Sequence, residues 1–246
     1  MHKLNDTLLL KHFILFFSRK GVNMYCAIIG DIVKSKNISK RQQLQTDLEE
    51  VLDYINTKYH SVIAAKFTIT LGDEFQGLLS SPEVLMDIVD YIKVHLHPIK
   101  VRFGIGFGDM STEIKSIAIG ADGPAYHVAR EAINTVKKGD TKHEQSNKDI
   151  LIYSDSTKDG LYDRLDVVNS ILAVCFFIES KWSDKQREII KHLMEDAKSQ
   201  TELANLYNIE QSSISRRIER SGYYAYKEAK HEANKLVISY WEELNG

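Results

Sequence analysis

Cysteine is scarce in this chain: Cys26 and Cys175 are the two it has among 246 residues, and each sits in an apolar run far from the other. That excludes a disulfide framework and a thiolate zinc site, and two buried free thiols in a reducing cytoplasm are expected instead. An excess of one charge is also missing. A formal net charge of −2 argues against a surface built to coat nucleic acid, so any DNA contact has to be a local patch. Long apolar runs are lacking as well. Leu8 to Phe17 is apolar but interrupted by Lys11, and it falls short of the roughly 18 residues a membrane span needs. It lacks a small-residue cleavage site, which weakens a signal-peptide reading. Met24 directly precedes the first strong strand, so residues 1–23 are read as an extension outside the fold. No Gly-x-x-x-x-Gly-Lys-Ser loop occurs, and Gly104, Gly106 and Gly108 alternate rather than spacing out a dinucleotide fingerprint. Their shared strand face is where a helix or ligand can lie close to a sheet. His95 and His97 before Pro98 are a weak zinc pair. No zinc, haem, dinucleotide or membrane span is expected.

What remains is an ordinary soluble composition, 43% hydrophobic and 27% charged, enough for one sizeable core and a small module. Two β-branched runs stand out, Tyr25 to Ile32 and Phe67 to Phe75, because each carries Gly-Asp at its end: Gly30-Asp31 and Gly72-Asp73. The first reads as a buried strand with an acid at its tip, the second as a strand running into a tight hairpin. Two carboxylates at neighbouring strand ends suit a hard cation such as Mg²⁺, which in turn holds phosphates. A single Gly-Asp is ordinary turn chemistry, so the weight rests on the pair.

Helical spacing of Leu44, Leu48, Val51, Leu52 and Ile55 predicts a helix over 39–59. Hairpin strands are predicted at 64–70 and 75–79, then a second helix opened by Pro82 with Val84, Leu85, Ile88, Val89 and Ile92 on its apolar side. A strand follows at 101–107, a third helix near 125–136, an exposed polar loop at 139–148 and a last strand at 150–153. Strand, helix, hairpin, helix, strand is the split βαβ order of ferredoxin-like and palm domains, in which the end of the first strand lies beside the hairpin turn. Asp31 and Asp73 would then meet. A connecting helix is predicted at 161–181, and only helix beyond Ser183.

Gly30-Asp31-Ile32-Val33-Lys34-Ser35-Lys36 and Leu71-Gly72-Asp73-Glu74-Phe75-Gln76-Gly77-Leu78-Leu79 resemble motifs of the SatD family, and the likeness covers most of the chain from Met24. More distantly, Asp31-Ile32-Val33, Gly72-Asp73, the strand Val101 to Gly108, and Arg130 in Tyr126-His127-Val128-Ala129-Arg130 are similar in order and rough spacing to class III nucleotidyl cyclases. That resemblance implies Mg²⁺ held by Asp31, the Ile32 carbonyl and Asp73, and transition-state charge met by Arg130. Backbone N–H groups at Val33 to Ser35, with Lys34 and Lys36, would receive phosphate. The chain departs from the cyclase pattern elsewhere. Tyr126 stands for an asparagine, Ile69 for a hairpin lysine, and Ile117 or Ile119 for the purine-reading residue. Glu74 is either an extra metal ligand or a solvated hairpin charge. Leu-Gly-Asp-Glu-Phe also resembles the hairpin of diguanylate cyclases, which implies shared palm architecture.

Gln200 to Ile218 reads as a helix-turn-helix, with Ala204 at the helix crossing, Asn208 in the turn, and Ile209, Ile214 and Ile218 packing inward. Gln211, Ser212, Ser215 and Arg216 would project toward a major groove, with Arg217 and Arg220 beside them. The segment resembles sigma-factor region-four domains. Acids slightly outnumber Lys and Arg beyond Ser183, so the alternative is a docking or dimerisation module. The last helix, from Ala225 to Trp241, is expected to close this small core, and a homodimer is a further option.

The sequence thus predicts an α+β chain: a ferredoxin-like, cyclase-like palm domain over 24–155, a connecting helix over 156–182, and an all-α helix-turn-helix domain over 183–246. Its expected role is that of a cytoplasmic regulator binding Mg²⁺ with a nucleotide or phosphate ligand, and DNA. The alternatives are a metal-dependent nucleotidyl cyclase or transferase and a degenerate protein-interaction scaffold.

Overall fold

The computed structural model describes residues 24–33, 41–118, 120–139, 148–156, 162–195 and 198–245. Strands β1 (Tyr25–Ile32), β2 (Ile63–Leu71), β3 (Glu74–Leu79), β4 (Val101–Gly108) and β5 (Ile150–Ser154) form one mixed sheet in the order β2-β3-β1-β4-β5. The first four pair antiparallel, and β5 lies parallel to β4. Helix α1 (Arg41–Lys58) leads from β1 to β2, α2 (Leu85–Leu96) from β3 to β4, and α3 (Pro124–Gly139) from β4 to β5. Helices α4 (Tyr162–Ser180), α5 (Asp184–Glu195), α6 (Gln200–Tyr207), α7 (Gln211–Ser221) and α8 (Tyr223–Asn245) complete a helical C-terminal region. The predicted order of elements is present, with ends moved by a few residues. Pro82 does not open α2. It sits in the preceding turn, where its carbonyl accepts from the Leu85 N–H at 3.0 Å. The extension before Met24 and most of the polar loop before Lys148 lie outside the described residues.

Strand alternation divides the sheet into two faces. Cys26, Ile28 and Ile32 of β1 point toward α1 and α2, whose Leu48, Leu52, Ile55, Ile88 and Ile92 are buried against them. Ala27 and Ile29 point the other way, into a core shared with Ala125, Ala129 and Ile133 of α3. Helix α3 lies unusually close to β4 because Gly104, Gly106 and Gly108 present no side chains to it. A Cβ at Gly106 would stand 2.1 Å from the Ala125 carbonyl oxygen, and one at Gly104 2.3 Å from that of Ala129.

Helices α4 and α8 run antiparallel and tie the helical region to the sheet. Leu165, Val168 and Leu172 of α4 enter the sheet core, whereas Cys175 enters a second core built on Trp182, Ile189, Leu203, Ile214 and Ile218. Helix α8 is expected to close the small core, and the structure corrects this in part. Tyr223 and Tyr226 do so, but Ala233, Val237 and Tyr240 join the sheet core, with the Tyr240 and Trp241 rings 5.9 and 5.7 Å from Phe107. The apolar stripe simply runs longer than the small core it starts on. Ala225 is exposed. Both cysteines are free and buried, and burial pushes the Cys175 thiol up to about 11. Among the described residues no helix is long and apolar enough to cross a membrane.

Buried charge reinforces the junction. Lys93 of α2 meets Asp149 at 2.5 Å and also pairs with Glu179 of α4. Arg187 of α5 donates to the Glu179 carbonyl at 2.6 Å. Burial acts to raise the Glu179 pKa, but the Lys93 charge and hydrogen bond outweigh it and hold the carboxyl below its usual value.

Two outcomes follow from this packing. Gly106→Val drives a branched side chain into α3 backbone, and urea denaturation should show a loss of about 3 kcal/mol or more. Glu179→Gln should cost roughly 2 kcal/mol at neutral pH, the scale of a lost charge-assisted hydrogen bond. A depressed carboxyl contributes stability that is present above its unfolded value and lost as pH falls through the folded one. The gap between wild type and Glu179→Gln should therefore close in melts run well below pH ~4.

Candidate functional site

The register of the sheet assembles a charged cluster at the end of β1. Asp31 is paired with Glu74 across β3 and with Arg102 across β4, so the three side chains share the face that α3 covers. Arg130 and Lys137, seven residues apart, reach this end from α3. Lys137 Nζ lies 2.7 Å from Asp31 Oδ1 and 3.7 Å from Glu74 Oε2. Arg130 Nη1 donates to Glu74 Oε2 at 2.5 Å, and Arg102 Nη1 to Asp31 Oδ2 at 3.4 Å. The acids are sunk, 11% and 13% exposed, while Arg130 and Lys137 cover them at 42% and 32%. Three cations therefore face two carboxylates, and the outer two cations remain open to solvent on one side. Such a surface can accept an anion through charge-assisted N–H donors.

The sequence-predicted residues fall unevenly around this cluster. Asp73 occupies the hairpin turn, where Gly72 has a φ of 62°. Its carbonyl accepts from the Ile32 N–H at 3.0 Å, so the end of β1 does lie beside the turn. The carboxylate paired across from Asp31, however, is Glu74. Its position follows from register, which spacing along one strand does not reveal. Ile32 turns its side chain into the α1 core. The Val33 N–H donates to the Lys100 carbonyl at 2.9 Å. Lys34, Ser35 and Lys36 lie outside the described residues, as does Ile119. Tyr126 is buried with no partner for its hydroxyl, and Ile117 is exposed.

Arg102 and Lys137 were missed, although signals for both were present. Arg102 has the parity of the β4 glycines, and Lys137 follows Arg130 by two helical turns. Among the described residues no three His, Cys, Asp or Glu side chains converge as a metal-ligand set. Asp31 and Glu74 nevertheless form a donor pair of the right chemistry for a hard cation, since the Lys137 ammonium already sits between them.

In the helical region, α6 begins on a capping box. The Ser199 hydroxyl accepts from the Glu202 N–H at 3.2 Å, and the Glu202 carboxylate accepts from the Ser199 N–H at 2.7 Å. Helix α6 ends at Asn208, which adopts the left-handed conformation expected of it (φ 49°, ψ 51°). Ala204, Ile214 and Ile218 are buried and Ile209 packs beside them, so α7 is docked as the sequence predicts. Gln211, Ser212, Arg216 and Arg220 are exposed on α7, with Ser215 and Arg217 half-buried. Gln211 donates to Gln200 Oε1 at 2.8 Å, linking the starts of α6 and α7.

Among curated proteins, none matches this chain. The model of the SatD family matches residues 25–237, from the first residue of β1 into α8, and so takes in both the charged cluster and the exposed face of α7. The chain belongs to the SatD family.

Proposed function

We propose that the sheet is a ferredoxin-like palm whose charged end binds a phosphate-bearing ligand, a nucleotide in the leading reading, together with Mg²⁺. We further propose that α6 and α7 act as a DNA-binding helix-turn-helix, making the protein a cytoplasmic regulator. The strand order β2-β3-β1-β4 with antiparallel pairing supports the palm reading. The observation that carries the ligand reading is the Asp31–Glu74 pair beneath Arg130 and Lys137. Arg130 and Lys137 would donate to phosphate oxygens, and Asp31, Glu74 and Asp73, with the Ile32 carbonyl, are the oxygens near the turn that would hold the metal. Mg²⁺, when bound, supplies charge neutralisation to the phosphates. Arg216, Arg217 and Arg220 on α7 support the DNA reading. A nucleotidyl transferase is the second reading, favoured by Arg130 lying on Glu74, where it could meet charge on a transferring phosphoryl group.

Calorimetry with ATP and GTP tests the site. Binding should require Mg²⁺ and weaken by about tenfold or more in Asp31→Asn, Glu74→Gln and Arg130→Ala. Indifference to all three, or no binding by the wild type, would overturn it, and product analysis of the same samples separates sensor from transferase. For the helices, Arg216→Ala with Arg220→Ala should reduce the salt slope of DNA binding by about two, and absence of DNA affinity at low salt removes that half.

A further inference from the structure

A cleft of about 540 Å³ opens where the sheet's outer helices meet the helical region, sharing no lining residue with the charged end of β1. Four helices wall it. Helix α1 brings Tyr54 and Lys58, α2 brings Tyr91 and His95, α5 brings Met194, and α8 brings Lys227 and Asn234. The volume is that of a small-molecule site.

One wall is a ladder of rings. Tyr54 stacks on Tyr91 with centroids 4.4 Å apart, and Tyr91 meets His95 at 3.9 Å. The Lys58 ammonium lies over Tyr54 at 5.4 Å and over Tyr59 at 5.2 Å. Tyr91 is thus sandwiched, and its ring edge is what remains for the cleft. Ring edges carry partial positive charge and attract the face of another aromatic ring.

The charges are distributed to match. Asp90 is taken by Lys230 and by the Tyr226 hydroxyl, which donates to it at 2.9 Å, and Glu195 is paired with His95 at 3.1 Å. Lys58 lies over the Tyr54 and Tyr59 rings, with Asp87 the acid near enough to feel its charge. Lys227 is exposed on the rim. Asp87 is the remaining acid of the lining; burial, then nearby Asp90, pushes its carboxyl up, while Lys58 and Lys230 act to lower it. Asn234 adds an independent sign. Its amide nitrogen donates to the Glu83 carbonyl at 3.2 Å, while its Oδ1 is buried without any donor. A buried acceptor left open is costly, and a ligand N–H would satisfy it once the side chain turns toward the cleft.

We infer that this cleft is a binding site for a planar aromatic acid carrying a ring N–H. The ring packs against the edges of the tyrosine ladder, the anionic group pairs with Lys58 and Lys227, and the N–H serves Asn234. Such a ligand would touch the sheet unit through α1 and α2, and the helical region through α5 and α8, at once.

Indole-3-carboxylate is a suitable probe for calorimetry on the full chain. One saturable site is expected, with indole-3-carboxamide, which lacks the charge, binding about tenfold more weakly. Lys58→Met combined with Lys227→Met should produce a similar loss, and both positions lie at the surface, so folding can be checked by thermal melting. Asp31→Asn should leave the probe's affinity unchanged, which separates this site from the one at the end of β1. No saturable binding, equal binding of acid and amide, or a double variant that binds as well as the wild type would each overturn the inference.

Discussion

Everything at the charged end of the sheet depends on how deeply α3 can sit. Gly104, Gly106 and Gly108 remove one row of side chains from β4, and Ala125 and Ala129 remove the facing row from α3, so backbone meets backbone. Residues larger than glycine in that row would lift the helix. Arg130 and Lys137 would then rise away from strand-end carboxylates that are themselves held flat by pairing with neighbouring strands. The same close approach accounts for the burial of Asp31 and Glu74, which are charged yet nearly enclosed. Carboxylates so placed are tolerated because each accepts from at least one cation at hydrogen-bond distance.

A second set of buried charges works differently. Lys93, Asp149, Glu179 and Arg187 come from α2, the start of β5, α4 and α5, so one cluster ties the sheet to both helices that lead away from it. Hydrophobic groups of the same volume could hold these elements as firmly. What an ionic cluster adds is a demand for one arrangement, because a shift of α5 against α2 would strand a charge. Lys230 and Asp90 repeat the device between α8 and α2. The helical region is therefore fixed to the sheet at several points, through polar contacts that penalise misplacement.

Local pattern made most of the elements legible. The apolar spacing of α1 and α2, the Gly72-Asp73 hairpin, the glycine parity of β4 and the Asn208 turn each rest on residues within a few positions of one another. What could not be read was pairing between segments distant in the chain. The sequence leaves Glu74 open between metal ligand and solvated charge because its partner Arg130 is 56 residues away, and β1 had to lie beside β3 before Glu74 could face Asp31. Helix α8 was misjudged for a related reason. Its stripe of Ala233, Val237 and Tyr240 is the same whether it closes a small core or crosses to a larger one. Periodicity identifies a buried face without naming what buries it.

Position also constrains how the parts could influence one another. Helix α3 packs on β1, β4 and β5. A ligand at Asp31 would therefore reach the helical region through the sheet, by way of β5 and α4, where the Asn169 amide grips the Ile152 backbone with bonds of 2.9 and 3.0 Å. That grip is buried and uses both ends of the amide. The cleft over α2 is placed otherwise, since its walls belong to both units and any occupant contacts α5 directly. Coupling requires a ligand to favour one of two states. The contacts that could differ between two placements of α5, such as His95 with Glu195 and His97 with Asp184, join the α2 end to α5, and His95 lines the cleft. If the placement of α7 responds to a small molecule, the shorter physical route runs from the cleft, and the charged end of β1 can act on α7 only through the sheet itself.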